Sequence, residues 1–193
     1  MASPHEEVHL EYYTSLVKQD LEQGLIMLMG EIEPGMSAVL VRDLRECLRL
    51  RGPGPVTVEL FSGGGGVHPA LHMYDTIRAY SKTHGLVTVL ASGMVASAAA
   101  GIVLQAADDR AATPSCRIML HEVAMNAPQN MTITMSSLED MNREMRTLQD
   151  ITTRIVAERS GKSKEHWDRF VEHHDRWFSA EAALSEGLID RIA

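Results

Sequence analysis

Gly93-Met94-Val95-Ala96-Ser97-Ala98-Ala99-Ala100-Gly101 is a glycine-opened run of small residues that carries a single hydroxyl, that of Ser97. The stretch before it, Leu86-Val87-Thr88-Val89-Leu90-Ala91, is a short apolar, β-branched run bounded by Gly85 and Gly93, and the stretch after it is rich in alanine. The pattern predicts strand, turn and helix, with Ser97 at the strand-to-helix junction. A hydroxyl in the first turn of a helix meets unpaired N–H groups and the positive end of the peptide dipoles, which favour negative charge developing on an attacked carbonyl. The plainer role for such a serine is the N-cap of a buried helix.

The alternation extends outward from this run. An amphipathic lead-in over residues 10–21 precedes a strand-like Leu25-Ile26-Met27-Leu28-Met29, which ends at Gly30. Helical spacing follows over 36–50 and is closed by Gly52-Pro53-Gly54-Pro55. A strand over 56–61, a helix over 68–82, a strand over 86–91 and a helix over 97–107 continue the series. Repeated β, α units predict a mostly parallel sheet whose functional groups collect at the carboxyl ends of the strands. Gly63-Gly64-Gly65-Gly66 falls between a strand and a helix and reads as a tight turn rather than a linker. Residues without Cβ let a backbone approach a substrate closely and take positive φ.

A serine hydroxyl is a weak nucleophile until a base takes its proton, and the base must itself be oriented. His121 closes the apolar run Arg117-Ile118-Met119-Leu120, at the end of a second strand. Asp175 lies just before a short strand-like stretch and a helix capped by Ser179. The order Ser, His, Asp differs from that of the chymotrypsin and α/β-hydrolase classes, and Ser97 lacks the Gly-x-Ser-x-Gly elbow. His173 and His174 crowd the acid, but either one in place of His121 would lose the strand-end position.

These motifs, in this order, resemble those of the proteolytic subunits of the Clp protease (the ClpP family), serine peptidases of the crotonase-like fold. Ser62-Gly63-Gly64-Gly65-Gly66-Val67 is similar to the family's Ser-Pro-Gly-Gly-Ser-Val turn, and Met73-Tyr74-Asp75-Thr76-Ile77 to the helix after it. Gly93 to Ser97 resembles the nucleophile motif and Met119-Leu120-His121 the base motif. Asp175-Arg176-Trp177-Phe178-Ser179-Ala180-Glu181-Ala182 resembles the acid segment, and Glu186-Gly187-Leu188-Ile189-Asp190 the closing turn.

The resemblance implies an α/β fold of repeated ββα units with a protruding strand-helix handle. It makes residues 25–193 one peptidase domain, the handle about 124–160, and residues 1–24 a short axial region and lead-in helix. It implies Ser97 as nucleophile, His121 as general base and then acid, and Asp175 as orienter. The backbone N–H groups of Gly64 and Ala98 would form the oxyanion hole, and Gly63, Gly65 and Gly66 would hold an extended peptide. Arg176 would join contacts between rings.

The implied activity is hydrolysis of unfolded polypeptides inside two stacked heptameric rings, without a cofactor, fed by an AAA+ unfoldase of the ClpX or ClpA type. No phosphate-binding Gly-x-x-x-x-Gly-Lys-Ser/Thr occurs, so ATP hydrolysis would belong to that partner. The chain departs from the family at Gly63, where proline is usual, at His121-Glu122-Val123 in place of His-Gln-Pro, and at Ala98 in place of methionine. The missing proline predicts a less preorganised oxyanion loop.

From Ser136-Ser137-Leu138-Glu139, a capping-box pattern, to Ser160-Gly161 the spacing predicts a helix of roughly 35 Å. Its apolar stripe is Leu138, Met141, Met145, Leu148, Ile151 and Ile155. Such a helix either packs along its own sheet or protrudes. The resemblance implies the second, with Leu138, Met141, Met145 and Leu148 in contacts between rings and a strand near 130–134 before the helix.

The 193 residues suffice for one domain. A net charge of −8 and a pI near 5.6 argue against nucleic acid or an anionic membrane as partner and leave protein. Cys47 and Cys116 make no disulfide framework, which fits reduced thiols in the cytoplasm. The start, Met1-Ala2-Ser3-Pro4-His5-Glu6-Glu7, lacks the basic and apolar regions of a signal peptide and shows no propeptide, and the apolar run over 94–107 is too short to span a bilayer. His68 and His72 have i, i+4 spacing, but no third ligand closes a zinc site and His-Glu-x-x-His is absent. Two rival functions remain: a crotonase-type acyl-CoA enzyme, which would not need Ser97 and His121, and a ring subunit without catalysis.

Overall fold

The computed structural model describes residues 4–125 and 134–193, with side chains from Thr14 onward. Helix α1 (Pro4–Gln23) leads into β1 (Leu25–Met29), α2 (Pro34–Arg51), β2 (Val56–Ser62), α3 (Val67–Thr83) and β3 (Val87–Ala96). A π turn (Ala99–Val103) running into a 3-10 turn (Leu104–Ala106) precedes β4 (Asp109–Ala112) and β5 (Arg117–Leu120). Then come α4 (Met135–Ser160), α5 (Lys164–Val171), β6 (Arg176–Phe178), α6 (Ala180–Ser185) and β7 (Arg191–Ile192).

The strands form one sheet in which β1, β2, β3, β4 and β7 lie side by side and parallel. β3 is long enough to take two partners on one side. Residues 88–91 pair with β4, and residues 94–96 pair in parallel with β5, which carries β6 antiparallel at its far edge. The break between the two halves falls at Gly93, whose φ of +60° a residue with a side chain rarely adopts, and the β2–β3 register shifts beside it, between Leu60 and Ser62. The sheet thus forks above Gly93, and the upper branch carries the residues of interest.

Two expectations change here. The strand expected to stop at Ala91 runs on to Ala96, because β5, distant in sequence, gives Met94–Ala96 a hydrogen-bonding partner. The α-helix expected over 97–107 is instead a wide π turn, in which Leu104 N–H reaches back to the Ala99 carbonyl, followed by a 3-10 turn. The fully buried Gln105 supports it, donating its amide to the carbonyls of Ala100 (3.0 Å) and Leu188 (3.2 Å).

The core is apolar and continuous. Ile26, Leu28 and Leu60 of the strands meet Met73 and Ile77 of α3, Ile102 and Leu104 of the turn, and Ile118 of β5. One buried charge is pinned at its edge: the Arg110 guanidinium donates to both carboxylate oxygens of Asp190, to Gln105 Oε1 and to the Gly187 carbonyl, tying the chain's end to β4. β1 alternates, so Met27 and Met29, with Phe61 of β2, face outward with about half of their surfaces exposed.

α4 has 26 residues and a length of about 39 Å. Its cap is Thr134, whose side chain accepts from the Ser137 amide while Ser137 Oγ accepts from the Thr134 amide, two residues earlier than the expected box at Ser136 and Glu139. The second half packs on the body: Leu148, Ile155, Val156 and Ala157 are buried, and Gly101 lies so close that a Cβ there would sit 3.1 Å from the Thr152 methyl. The first half stands clear, with Met135 and Leu138 exposed. Leu148 is therefore covered by its own chain, and the outward part of the stripe ends at Met145. Of the strand expected near 130–134, residues 130–133 lie outside the described residues.

Candidate active site

Ser97 is the residue after the last paired step of β3, and its backbone is held from both sides. Its N–H donates to the Met119 carbonyl of β5 at 2.9 Å, and its carbonyl accepts from the amides of Ala100 (3.1 Å) and Gly101 (2.9 Å). It adopts φ +55°, a left-handed conformation uncommon for a residue with a side chain, and these three bonds hold it there. The sharp turn projects the hydroxyl out of the strand.

β5 delivers the partner. His121 is one residue past the strand, and its Nε2 lies 2.7 Å from Ser97 Oγ, within hydrogen-bond reach. The antiparallel register between β5 and β6 pairs Ile118 with Phe178, Met119 with Trp177 and Leu120 with Arg176. The next step of that ladder sets His121 opposite Asp175. Asp175 Oδ1 lies 4.0 Å from His121 Nδ1, longer than a hydrogen bond, and the carboxylate is 65% exposed. The Ser97–His121 pair is within hydrogen-bond distance and the His121–Asp175 pair is not.

The glycine turn approaches from β2. A Cβ on Gly64 would lie 2.6 Å from Ser97 Cβ and 2.8 Å from the Ala96 carbonyl, so only glycine permits this approach. Ile32 clamps the turn: its N–H donates to the Gly64 carbonyl (2.8 Å) and its carbonyl accepts from Gly66 N–H (2.7 Å). The expected tight turn is present. In such a parallel bridge the residue between the two bonded groups points its own N–H and carbonyl the other way. Gly65 therefore keeps a free edge, whereas the Gly66 amide is spent on Ile32 and does not reach a bound peptide. Gly64 N–H donates to Ser62 Oγ at 3.1 Å, and Ala98, buried, caps the π turn.

A groove of about 330 Å³ opens beside His121, lined by Glu122 and Val123 after β5 and by Leu138, Met141, Met145 and Gln149 among the residues of α4. Gln149 Oε1 accepts the Val123 amide at 2.7 Å and fixes this wall. Glu122 lies 3.9 Å from His173, which also faces Glu172 at 3.6 Å, so His173 is turned toward carboxylates rather than Ser97. Arg176 donates to the Phe170 carbonyl at 2.6 Å and lies over the Phe170 ring. His72 meets Ser37 Oγ at 2.5 Å and His68 faces Glu144 at 3.4 Å. Among the described residues no three His, Cys, Asp or Glu side chains converge as metal ligands, and no helix is long and apolar enough to cross a membrane.

The sequence reading passed over Ser62, Ile32 and Gln149. A serine two residues before a glycine is a known side-chain turn former and offered a signal for Ser62. Nothing local marks the other two, since each acts across the fold.

Comparison with known proteins gives the same direction. A family model described as Clp protease matches residues 6–193. The chain is 31% identical over 181 residues to the ATP-dependent Clp protease proteolytic subunit 3 of Streptomyces coelicolor, covering 92% of this chain and 78% of that one. It is 32% identical over 138 residues to proteolytic subunit 1 of Streptomyces avermitilis (71% and 60%), and 28% identical over 171 residues to proteolytic subunit 3 of a Synechococcus strain (88% and 82%).

Proposed function

The chain belongs to the Clp protease family, and from that premise we propose that it is a serine endopeptidase cutting unfolded polypeptides by acyl transfer within a ring assembly. The observation that carries this reading is the 2.7 Å contact between Ser97 Oγ and His121 Nε2. An acyl-CoA enzyme of related fold has no use for that pair, and a purely structural subunit has no reason to hold Ser97 at φ +55°.

In the proposed reaction His121 takes the Ser97 proton as Oγ bonds to the scissile carbonyl carbon. The oxyanion forms against the amides of Gly64 and Ala98. His121 then returns the proton to the leaving amine as the C–N bond breaks, and a water, deprotonated by the same imidazole, hydrolyses the acyl-enzyme. Asp175 closes on Nδ1 to hold the tautomer and stabilise the imidazolium. The apolar wall of Val123, Leu138, Met141 and Met145 receives a substrate side chain next to the bond cut. No cofactor enters these steps.

Assembly belongs to the same proposal. The exposed first half of α4 is the handle between two stacked heptameric rings, and the outward Met27, Met29 and Phe61 give apolar area to neighbours within a ring. Arg176 and Asp175 are adjacent, so a contact that moves Arg176 off Phe170 moves the acid with it. The relatives' names describe ATP-dependent proteases, which supports a partner AAA+ unfoldase of the ClpX or ClpA type and a cytoplasmic setting.

A fluorophosphonate probe tests the chemistry. The expected result is covalent labelling of the assembled protein at Ser97, abolished in Ser97→Ala. An assembled protein that the probe leaves unmodified would refute the peptidase reading.

A further inference from the structure

The turn that carries Gly64 is held on two sides, and the two holds do different things. Ile32 takes the Gly64 carbonyl and gives the turn its position. Ser62 takes the Gly64 N–H, the group that the proposed reaction needs. The Ser62 hydroxyl is not a solvated surface group: the residue is 1% exposed, its Oγ accepts from the Gly64 amide at 3.1 Å, and it faces the Gly64 carbonyl at 3.4 Å.

An amide has one proton to donate. While it points at Ser62 Oγ it is not aimed at the place where a carbonyl attacked by Ser97 would put its negative charge. Because Ile32 fixes the carbonyl side of the next peptide unit, the turn cannot simply swing as a body to redirect it. The local route is to break the Ser62 bond and reorient the peptide plane between Gly63 and Gly64, which the missing Cβ at both positions makes easy. Gly63 has room for this, since a Cβ there would meet only the Met94 methyl, at 3.5 Å.

We propose that Ser62 is a positioning residue that latches the oxyanion amide in the resting enzyme, so that each acylation begins by displacing the Ser62 hydroxyl from Gly64 N–H. The inference rests on the peptidase reading above and adds a regulatory step to it. A neutral hydrogen bond of ordinary net strength implies a modest latch, one that slows acylation about five-fold.

The test uses the full-length assembled protein and the second-order rate of phosphonylation by the fluorophosphonate probe. Ser62→Ala is expected to label about five-fold faster than wild type. In peptide hydrolysis its gain is expected in kcat rather than KM, because the latch opposes the transition state and not ground-state binding. Ser62→Cys, similar in volume and a weaker acceptor, is expected to fall between the two and guards against a folding defect in the alanine variant. Hydrogen exchange, read by mass spectrometry on the peptide spanning 62–67, is expected to show slower exchange in wild type than in either variant.

Labelling of Ser62→Ala at or below the wild-type rate would overturn the latch, as would equal exchange in wild type and variants. Failure of wild type itself to label at Ser97 would instead strike the peptidase reading, so the two claims fail separately.

Discussion

His121 reaches Ser97 but not Asp175: its Nε2 is 2.7 Å from the hydroxyl, and its Nδ1 is 4.0 Å from the carboxylate one ladder step away. Asp175 sits on segment 172–175, between α5 and the short edge strand β6, so a shift of about 1 Å separates its 4.0 Å approach to His121 from a hydrogen bond. Two consequences follow for kinetics. In the assembled protein, Asp175→Asn is expected to lower kcat by about 10³ to 10⁴-fold, and Ser97→Ala or His121→Ala by about 10⁶-fold. In protein dissociated by dilution, where nothing closes the segment, wild type and Asp175→Asn are expected to differ by less than ten-fold. Peptide hydrolysis per subunit, followed against concentration alongside sedimentation, checks both; an Asn variant equally impaired at every dilution would remove the coupling between assembly and the acid.

The glycine run predicts a graded response to alanine. Gly64→Ala brings a Cβ to 2.6 Å from Ser97 Cβ, and Gly65→Ala brings one to 2.3 Å from the Ile32 carbonyl, both at positive φ. Each is expected to cost about 2 kcal/mol or more of stability and to abolish turnover. Gly63→Ala meets only ordinary contact with Met94, and its φ lies outside the left-handed range. It is expected to be neutral or to stabilise by about 0.5 kcal/mol through the unfolded chain. Urea midpoints of the three variants, with probe labelling of each, decide the ranking.

What the sequence made legible and what it hid divide by range. Ser97, His121 and Asp175 each end or begin a strand whose residue pattern is local, so their places could be read from the chain. The fork at Gly93 could not be, because it depends on β5 pairing with Met94–Ala96, a contact between segments that carry no mark of each other. The same holds for Ile32, which clamps the glycine turn from a loop more than thirty residues earlier, and for Gln149, which holds Val123 from the middle of α4. The alanine-rich run after Ser97 has strong helix propensity, yet buried Gln105 and close packing against Thr152 impose a wider turn. Leu148 fits the outward stripe by spacing alone, and only the point where α4 meets the body shows which part of that stripe is already covered.

Asp190 gives the stability of the fold a defined acid limb. Partial burial pushes its carboxyl up, but the hydrogen bonds from the Arg110 side chain and amide, with the charges of Arg110 and Arg159, outweigh this and hold it below the ordinary value of 3.8. Above pH 3.8 the group is ionised in folded and unfolded chains alike, and its contribution is fully present. Below 3.8 the unfolded chain takes the proton first, so stability falls and is lost once the folded carboxyl titrates. Wild type is therefore expected to lose more stability between pH 5 and pH 3 than Asp190→Asn, which cannot titrate, while the variant starts lower because Arg110 stays buried with a weaker partner. Urea midpoints across that range check the sign; parallel curves would mean that the pair carries no linkage.

The handle predicts a separation of folding from assembly. Leu138 is 48% exposed, so the isolated subunit gains little from its side chain, whereas Met141, one turn further along, is half-buried in the groove wall. A glutamate at position 138 should leave subunit stability within about 0.5 kcal/mol, as for ordinary surface substitutions. Between two rings the same carboxylate would be buried against apolar surface with no partner, at a cost of several kcal/mol for each copy, and symmetry repeats that cost around the ring. Leu138→Glu is thus expected to sediment as particles half the size of wild type, with unchanged melting of the subunit and with Asp175 left open. Peptide hydrolysis should drop with the ring pairing, whereas Glu139→Gln, on the solvated side of the helix, should leave both intact. If Leu138→Glu keeps the full-size particle, the first half of α4 does not join the rings and its exposed stripe needs another partner.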